Sequence, residues 1–204
     1  MSTNNTSLQR NPGRPMSMEA GDRILDAAVA LLGEKGWEGL SMEALAARAA
    51  VGKATIYRRW AAKEDIVIAA MERFVDDISI HDTGTFRTDL EALMNDAIRA
   101  YRTPRGKLIP ALASVMERQP KLAKVVRRKF LEPRRRAVFA VFERARERGE
   151  IAPGADIDLI HDLLVGPILY RRLFTGMALD LKLVQGMVEA IMASFASPAG
   201  PTAQ

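Results

Sequence analysis

The sequence predicts an all-α chain of about nine helices. Three observations predict it. Apolar residues recur at three- and four-residue spacing along most of the chain. Glycine and proline mostly punctuate those runs. No segment alternates with the two-residue period of a strand. Hydrophobic residues make up 48 % of the 204 and charged residues 27 %, which fits a globular chain rather than a disordered one.

Residues 1–16 read as a flexible basic arm, with Arg10 and Arg14 around Asn11-Pro12-Gly13. Plain disorder and a minor-groove arm both fit it. A helix is expected over Ser17–Lys35, where Ile24, Ala28, Leu31 and Leu32 share a face. Gly36 can end it, because glycine adopts the left-handed C′ conformation without a Cβ clash. Ser41 is a natural N-cap for the next helix, and Met42, Leu45, Ala46 and Ala49 form its stripe. The alanines there let another helix cross closely. The chain then turns at Val51-Gly52 into a short helix that Ile56 and Trp60 anchor inward, leaving Lys53, Thr55, Arg58 and Arg59 to face out.

A fourth helix is expected from Lys63 to about Ile80, with Ile66, Val67, Ala70, Phe74 and Ile78 inside. A loop follows, then a helix over 89–102, broken at Pro104-Arg105-Gly106. Helix resumes over 107–118 and from Pro120. Pro133 suits a first turn or a kink in one long helix. Asp156 and Asp180 are candidate caps for helices over 157–175 and 181–196, and 197–204 reads as a disordered tail. The expected units are the arm, a helix-turn-helix domain over 17–63 and a helical domain over 64–196.

The helix over 157–175 carries apolar residues on more than one face and that over 181–196 a clean apolar stripe, together more than one core easily absorbs. Leu163, Gly166, Tyr170 and Phe174 on the first, and Val184, Met187, Val188, Ile191 and Phe195 on the second, are candidates for a homodimeric four-helix interface. A deeply buried core within one chain is the other reading.

Composition excludes several classes. There are no cysteines, so thiolate metal sites, disulfides and cysteine nucleophiles are absent. Only His81 and His161 are present, and no metal-ligand spacing, phosphate-cradling glycine loop or nucleophile elbow occurs. His161-Asp162, on an apolar helix, reads as a polar patch near the interface. The polar N-terminus lacks a signal-peptide core, and no apolar run reaches the roughly 18–20 residues that span a bilayer. A cytoplasmic protein, not an enzyme, with no cofactor and no metal is expected.

Net charge is +5, and residues 99–136 alone hold 13 basic and 2 acidic side chains. That segment fits a solvated helix face, an anionic ligand or an extra DNA contact. Residues 41–63 hold Arg48, Lys53, Arg58, Arg59 and Lys63 against Glu43. A short helix there can offer its free N–H groups to phosphate, with Lys53 and Arg59 reaching bases or phosphates and Thr55 a thymine methyl. Tyr57 and Lys63 suit phosphate contacts that fix register. A solvated face also accommodates Arg58-Arg59.

The run "RILDAAVALLGEKGWEGLSMEALAARAAVGKATIYRRW" followed by "KEDIV" resembles the DNA-binding domain of the TetR (tetracycline-repressor) family of transcriptional regulators. "LLVGPILYRRLFTG" resembles an effector-domain helix of one branch of it. The resemblance implies an all-helical homodimer that binds palindromic double-stranded operator DNA as a repressor and is released by a small-molecule effector. It implies that Ser41, Lys53, Thr55, Tyr57, Arg59 and Lys63 contact DNA. Ala62 departs from the Ser or Asn common before that lysine, which weakens the cap of the fourth helix. The resemblance also implies an effector pocket among the central helices, for which Met71, Phe74, Met94, Ile98, Tyr101, Met116, Phe130, Phe139 and Phe142 are candidates. Plain core packing accounts for the same residues. A helical adaptor, or an activator without an effector, remains the rival class.

Overall fold

The computed structural model describes residues 16–76 and 78–197. Apart from Met16 and Ser197, the expected arm and tail lie outside the described residues. The elements are α1 (Met16–Lys35), α2 (Met42–Ala49), α3 (Lys53–Tyr57), α4 (Lys63–Val75), α5 (Phe86–Arg102), α6 (Leu108–Arg118), α7 (Pro120–Val126), α8 (Glu132–Glu147), α9 (Ile157–Tyr170) and α10 (Leu181–Phe195). A π turn, Arg127–Leu131, joins α7 to α8 as one continuous rod, so the ten stretches make nine rods among the described residues. No strand occurs there, only an isolated bridge between Ile151 and Ala196.

Local chemistry explains most boundaries. Gly36 takes φ +65° where α1 stops. The Ser41 hydroxyl accepts the Ala44 N–H at 3.1 Å. At the turn after α2 the left-handed residue is Ala50, φ 52°, whereas Gly52 is extended and caps α3. Ala50 holds that conformation because its N–H donates to the Ala46 and Ala47 carbonyls. Ala62 has no side-chain acceptor, yet Asp65 supplies half a cap by accepting the Ala62 N–H at 3.3 Å.

The fourth helix stops at Val75 rather than near Ile80. The buried Asp96 carboxylate draws the chain away from helix there, accepting the Ser79 N–H at 3.2 Å and meeting His81 Nε2 at 2.8 Å. The π turn lies just before Pro133, whose missing N–H already breaks the helical ladder. The Glu132 N–H donates five residues back, to Arg127. The helix expected over 157–175 likewise changes at Arg171, where a π turn runs to Thr175 and Gly176 ends it.

Two apolar clusters hold the fold. The first joins α1, α2, Ile56 of α3 and Ile66 to Met71 of α4 with Leu108 and Leu112 of α6, Val126 of α7 and Phe130. The second joins Phe74 and Ile78 with α5, α8, α9 and α10. The division between the clusters falls within α4, which threads both. Ile56 is fully buried, and burial of such a side chain contributes about 1.5–3 kcal/mol.

Candidate nucleic-acid interface and ligand cavity

The five-residue α3 is held by Ile56 and by the half-buried Trp60. Its outward side chains are Lys53, Tyr57, Arg58 and Arg59, with Tyr57 53 % exposed. Lys53 is not free, since its Nζ lies 2.6 Å from Glu43. That hydrogen bond raises the lysine pKa and lowers the glutamate pKa. Arg59 leans over the Trp60 ring at 5.9 Å. It also packs on Gly21, where an added Cβ would stand 2.1 Å from its guanidinium. Arg58 makes no ion pair among the described residues and projects into solvent.

The other predicted contacts sit differently. Thr55 is half-buried. The Ser41 hydroxyl serves as the N-cap of α2. Lys63 turns inward, its Nζ 3.1 Å from the Trp37 carbonyl and 4.2 Å from the ring centroid. Trp37 and Glu43 carry no signal in the sequence that marks them as partners of these lysines, because both pairings cross between elements. Behind α3, Arg48 grips Glu34 through two bonds of 2.5 and 2.7 Å, tying α2 to α1. The result is a cross-linked platform with a cationic edge at one side.

A cavity of about 490 Å³ lies between α4, α5, the π turn, α8 and α9. Of the sequence candidates, Phe74, Met94, Tyr101 and Phe130 line it. Met71 and Met116 do not: they pack with the first cluster. Ile98 and Phe142 are solid core of the second. Phe139 stacks against Phe142 and His161 with Arg135 over its ring. Helical spacing identifies inward faces but not which inward space stays unfilled, so the cavity lining includes four of the nine candidates and the other five pack around it.

Arg127, Arg134, Arg135 and His161, none of them a sequence candidate, also line the cavity. His161 and its neighbour Asp162 are thus part of the cavity wall. Burial lowers its pKa, against the opposing pull of Asp162. Burial likewise pushes Arg134 below the usual arginine value and the Tyr101 phenol up to about 12. Phe74 and Tyr101 meet edge to face at 5.1 Å.

On the outer surface, α9 exposes Leu159, Leu163 and Gly166, then Tyr170 and Phe174, the last two 61 % and 77 % exposed. A Cβ at Gly166 or Gly186 would meet nothing within 4 Å. The α10 stripe behaves otherwise. Val184, Met187, Val188 and Ile191 are 1–6 % exposed, and Phe195 packs beside them in the second cluster. Within the chain, Val184, Met187, Val188 and Ile191 are core and Phe195 is half-buried. Periodicity identifies a buried stripe without saying which body buries it.

Among the described residues no group of three or more His, Asp or Glu side chains could hold a metal ion, and no helix is long and apolar enough to cross a membrane.

Comparison with known proteins agrees with this geometry. Residues 24–70 match the family described as bacterial regulatory proteins, tetR family. Residues 80–191 match the tetracyclin repressor-like C-terminal domain. The chain is 32 % identical over 182 residues to the HTH-type transcriptional regulator YdeS of Bacillus subtilis, covering 89 % of this chain and 92 % of that one. It is 34 % identical over 173 residues to a DNA-binding transcriptional repressor TetR of Mycobacteroides abscessus, covering 83 % and 90 %. The crystal structure of the TetR family regulator SCO0332 superposes with a TM-score of 0.67 at 27 % identity, over 86 % of this chain and 97 % of that one. With a helix-turn-helix platform, a cationic outer edge and relatives that cover nearly its whole length, the chain belongs to the TetR family of DNA-binding transcriptional regulators.

Proposed function

We propose that the chain is a ligand-responsive repressor that binds a palindromic operator as a homodimer and leaves it when a small molecule fills the 490 Å³ cavity. The observation that carries this is the path of α4. Its first half, Ile66 to Met71, is packed into the core that holds α3. Its second half puts Phe74 and Val75 into the cavity wall. The π turn makes a second link, because Phe130 lines the cavity while Lys129 pairs with Asp65 at 3.6 Å, in the first turn of α4. A ligand that favours one setting of α4 therefore favours one setting of the reading helix. It shifts DNA affinity by its differential binding to the two states.

The outward apolar face of α9 supports the dimer. A patch containing Leu163, Tyr170 and Phe174 is costly to leave in water, and pairing by a twofold axis removes it. Two α3 helices then read half-sites about 34–36 Å apart, or a multiple of that turn. In this reading Arg58, Arg59 and Tyr57 meet the duplex directly. Lys53 does so by exchanging Glu43 for phosphate or base. Ser41 and Lys63 act mainly by holding the platform. A reader of operator DNA works where the DNA is, which places it in the cytoplasm.

Selection of bound sequences from a random duplex pool with the purified chain tests the proposal. A palindromic site is expected. Arg59→Ala and Tyr57→Ala should lose it while still sedimenting as dimers, and a ligand screen should find release. Indifference to every duplex at moderate salt, or a lone subunit at micromolar concentration, overturns it.

A further inference from the structure

We propose that the cavity takes a medium-sized amphipathic monoanion, its apolar body against Phe74, Leu93, Met94, Val138 and Ile168 and its carboxylate-type head on Arg134. This deepens, and rests on, the ligand-responsive reading above.

The charges around the cavity single out Arg134. Six lining residues are ionisable in the ordinary range or always charged: Arg127, Glu132, Arg134, Arg135, His161 and Asp162. Arg135 is committed to Asp158 and to the face of Phe139. Glu132 and Asp162 are exposed and keep their water, as does Arg127. His161 is biased to its neutral form by burial. Arg134 alone is half-buried and, among the described residues, makes no hydrogen bond or ion pair. The nearest negative influence on it is Asp96, itself occupied by Ser79, His81 and Arg99.

A guanidinium cannot shed its proton to escape desolvation. A half-buried one without a partner is costly, and an anion that forks onto it removes that cost. A cation in the same space would add to it. Polar atoms with no partner also gather at this wall. Arg135 Nε and His161 Nδ1 are buried without a hydrogen bond, with Asp162 3.6 Å from the latter. Such atoms are uncommon in folded proteins, and at a cavity wall they fit a polar ligand group.

Shape sets the body of the ligand. At the ~30 Å³ that a water-sized group occupies in a liquid, 490 Å³ accommodates on the order of fifteen non-hydrogen atoms. Apolar side chains dominate the remaining wall, so a hydrocarbon body is favoured over a sugar or nucleotide.

Titration calorimetry of the full-length chain with decanoate and decyltrimethylammonium below their micelle concentrations, and with 1-decanol below its solubility limit, tests the class. Decanoate is expected to bind about tenfold or more tightly than decanol, the range one charge-assisted bond supplies. The ammonium probe should give no binding. Arg134→Met should bring decanoate to the level of decanol and leave decanol unchanged. Ala97→Trp, which fills the cavity, should abolish both. Melting curves by circular dichroism check that each variant is folded.

The class is overturned if the ammonium probe binds as well as decanoate, if Arg134→Met keeps the preference for the anion, or if no probe binds. A neutral or cationic compound that releases operator DNA, and is blocked by Ala97→Trp, overturns the anion class and leaves ligand response standing. If no compound in a broad screen dislodges the DNA, ligand response itself fails.

Discussion

Replacing Arg148 by Met should destabilise the chain by about 3 kcal/mol at neutral pH, and by less in acid. Arg148 stands between two covered carboxylates. Its guanidinium lies 3.2 Å from Asp89, which is fully buried, and 2.8 Å from Glu150. Breaking a buried pair by removing one partner costs about 3–5 kcal/mol. Two features place this case at the low end. Arg148 is itself 26 % exposed, so water screens it in part. The orphaned acids also keep other donors: Asp89 accepts the Thr83 N–H at 2.6 Å and hydroxyl at 2.7 Å, and Glu150 accepts the Phe86 N–H.

The pH dependence follows from Asp89. Burial acts to raise its pKa, but the Thr83 donors and Arg148 outweigh burial and hold it below the ordinary carboxylate value. Its stabilising contribution is thus present above the unfolded value, about 3.9, and is lost as pH falls through the lower folded value. Without Arg148, burial gains weight and the pKa rises. The variant's deficit is then largest at neutral pH and shrinks once Asp89 can take a proton.

Thermal unfolding followed by circular dichroism, at fixed protomer concentration, should show a loss of about 6–12 °C near pH 7.5 for a chain of this size. In acid, at and below the ordinary carboxylate value of about 3.9, the loss should be smaller, and Asp89→Asn added to Arg148→Met should recover part of it at pH 7.5. A deficit under about 1 kcal/mol, or an equal deficit at neutral pH and in acid, would refute the reasoning.

Three further outcomes are expected. Phe174→Lys, at a side chain 77 % exposed, should sediment as a monomer with operator affinity reduced, while the far-ultraviolet dichroism stays unchanged. Ile56→Ala removes the buried anchor of α3 and should cost about 2–5 kcal/mol. Protease sensitivity near the turn at 50–52 reads it. Arg58→Ala should weaken binding evenly across operator sequences and lower the slope of log affinity against log salt by about one, measured by fluorescence anisotropy. An unchanged slope would place Arg58 off the duplex.

The fold class and the reading platform were legible in the sequence because they rest on local rules. The Ser41 cap, the stop at Gly36 and the inward Ile56 and Trp60 each follow from residues a few positions apart. What lay beyond reach depends on contacts between distant segments. Lys63 reads as a free cation until Trp37, far back in the chain, is found against it. The α4 helix reads as longer until Asp96 captures the backbone of Ser79. The apolar residues of α9 and α10 all read as surface seeking cover, yet α9 buries Ile160, Leu164 and Ile168 while exposing Leu159 and Leu163, and α10 buries most of its stripe within the chain. Arg134 reads as one more charge in a basic run. The sequence by itself determined which residues form helices and which faces seek shelter from water, since propensity and periodicity act over one or two turns. Only the tertiary structure decided what shelters each face and where a cavity stays open beside an unpartnered cation, because those are outcomes of how whole helices pack.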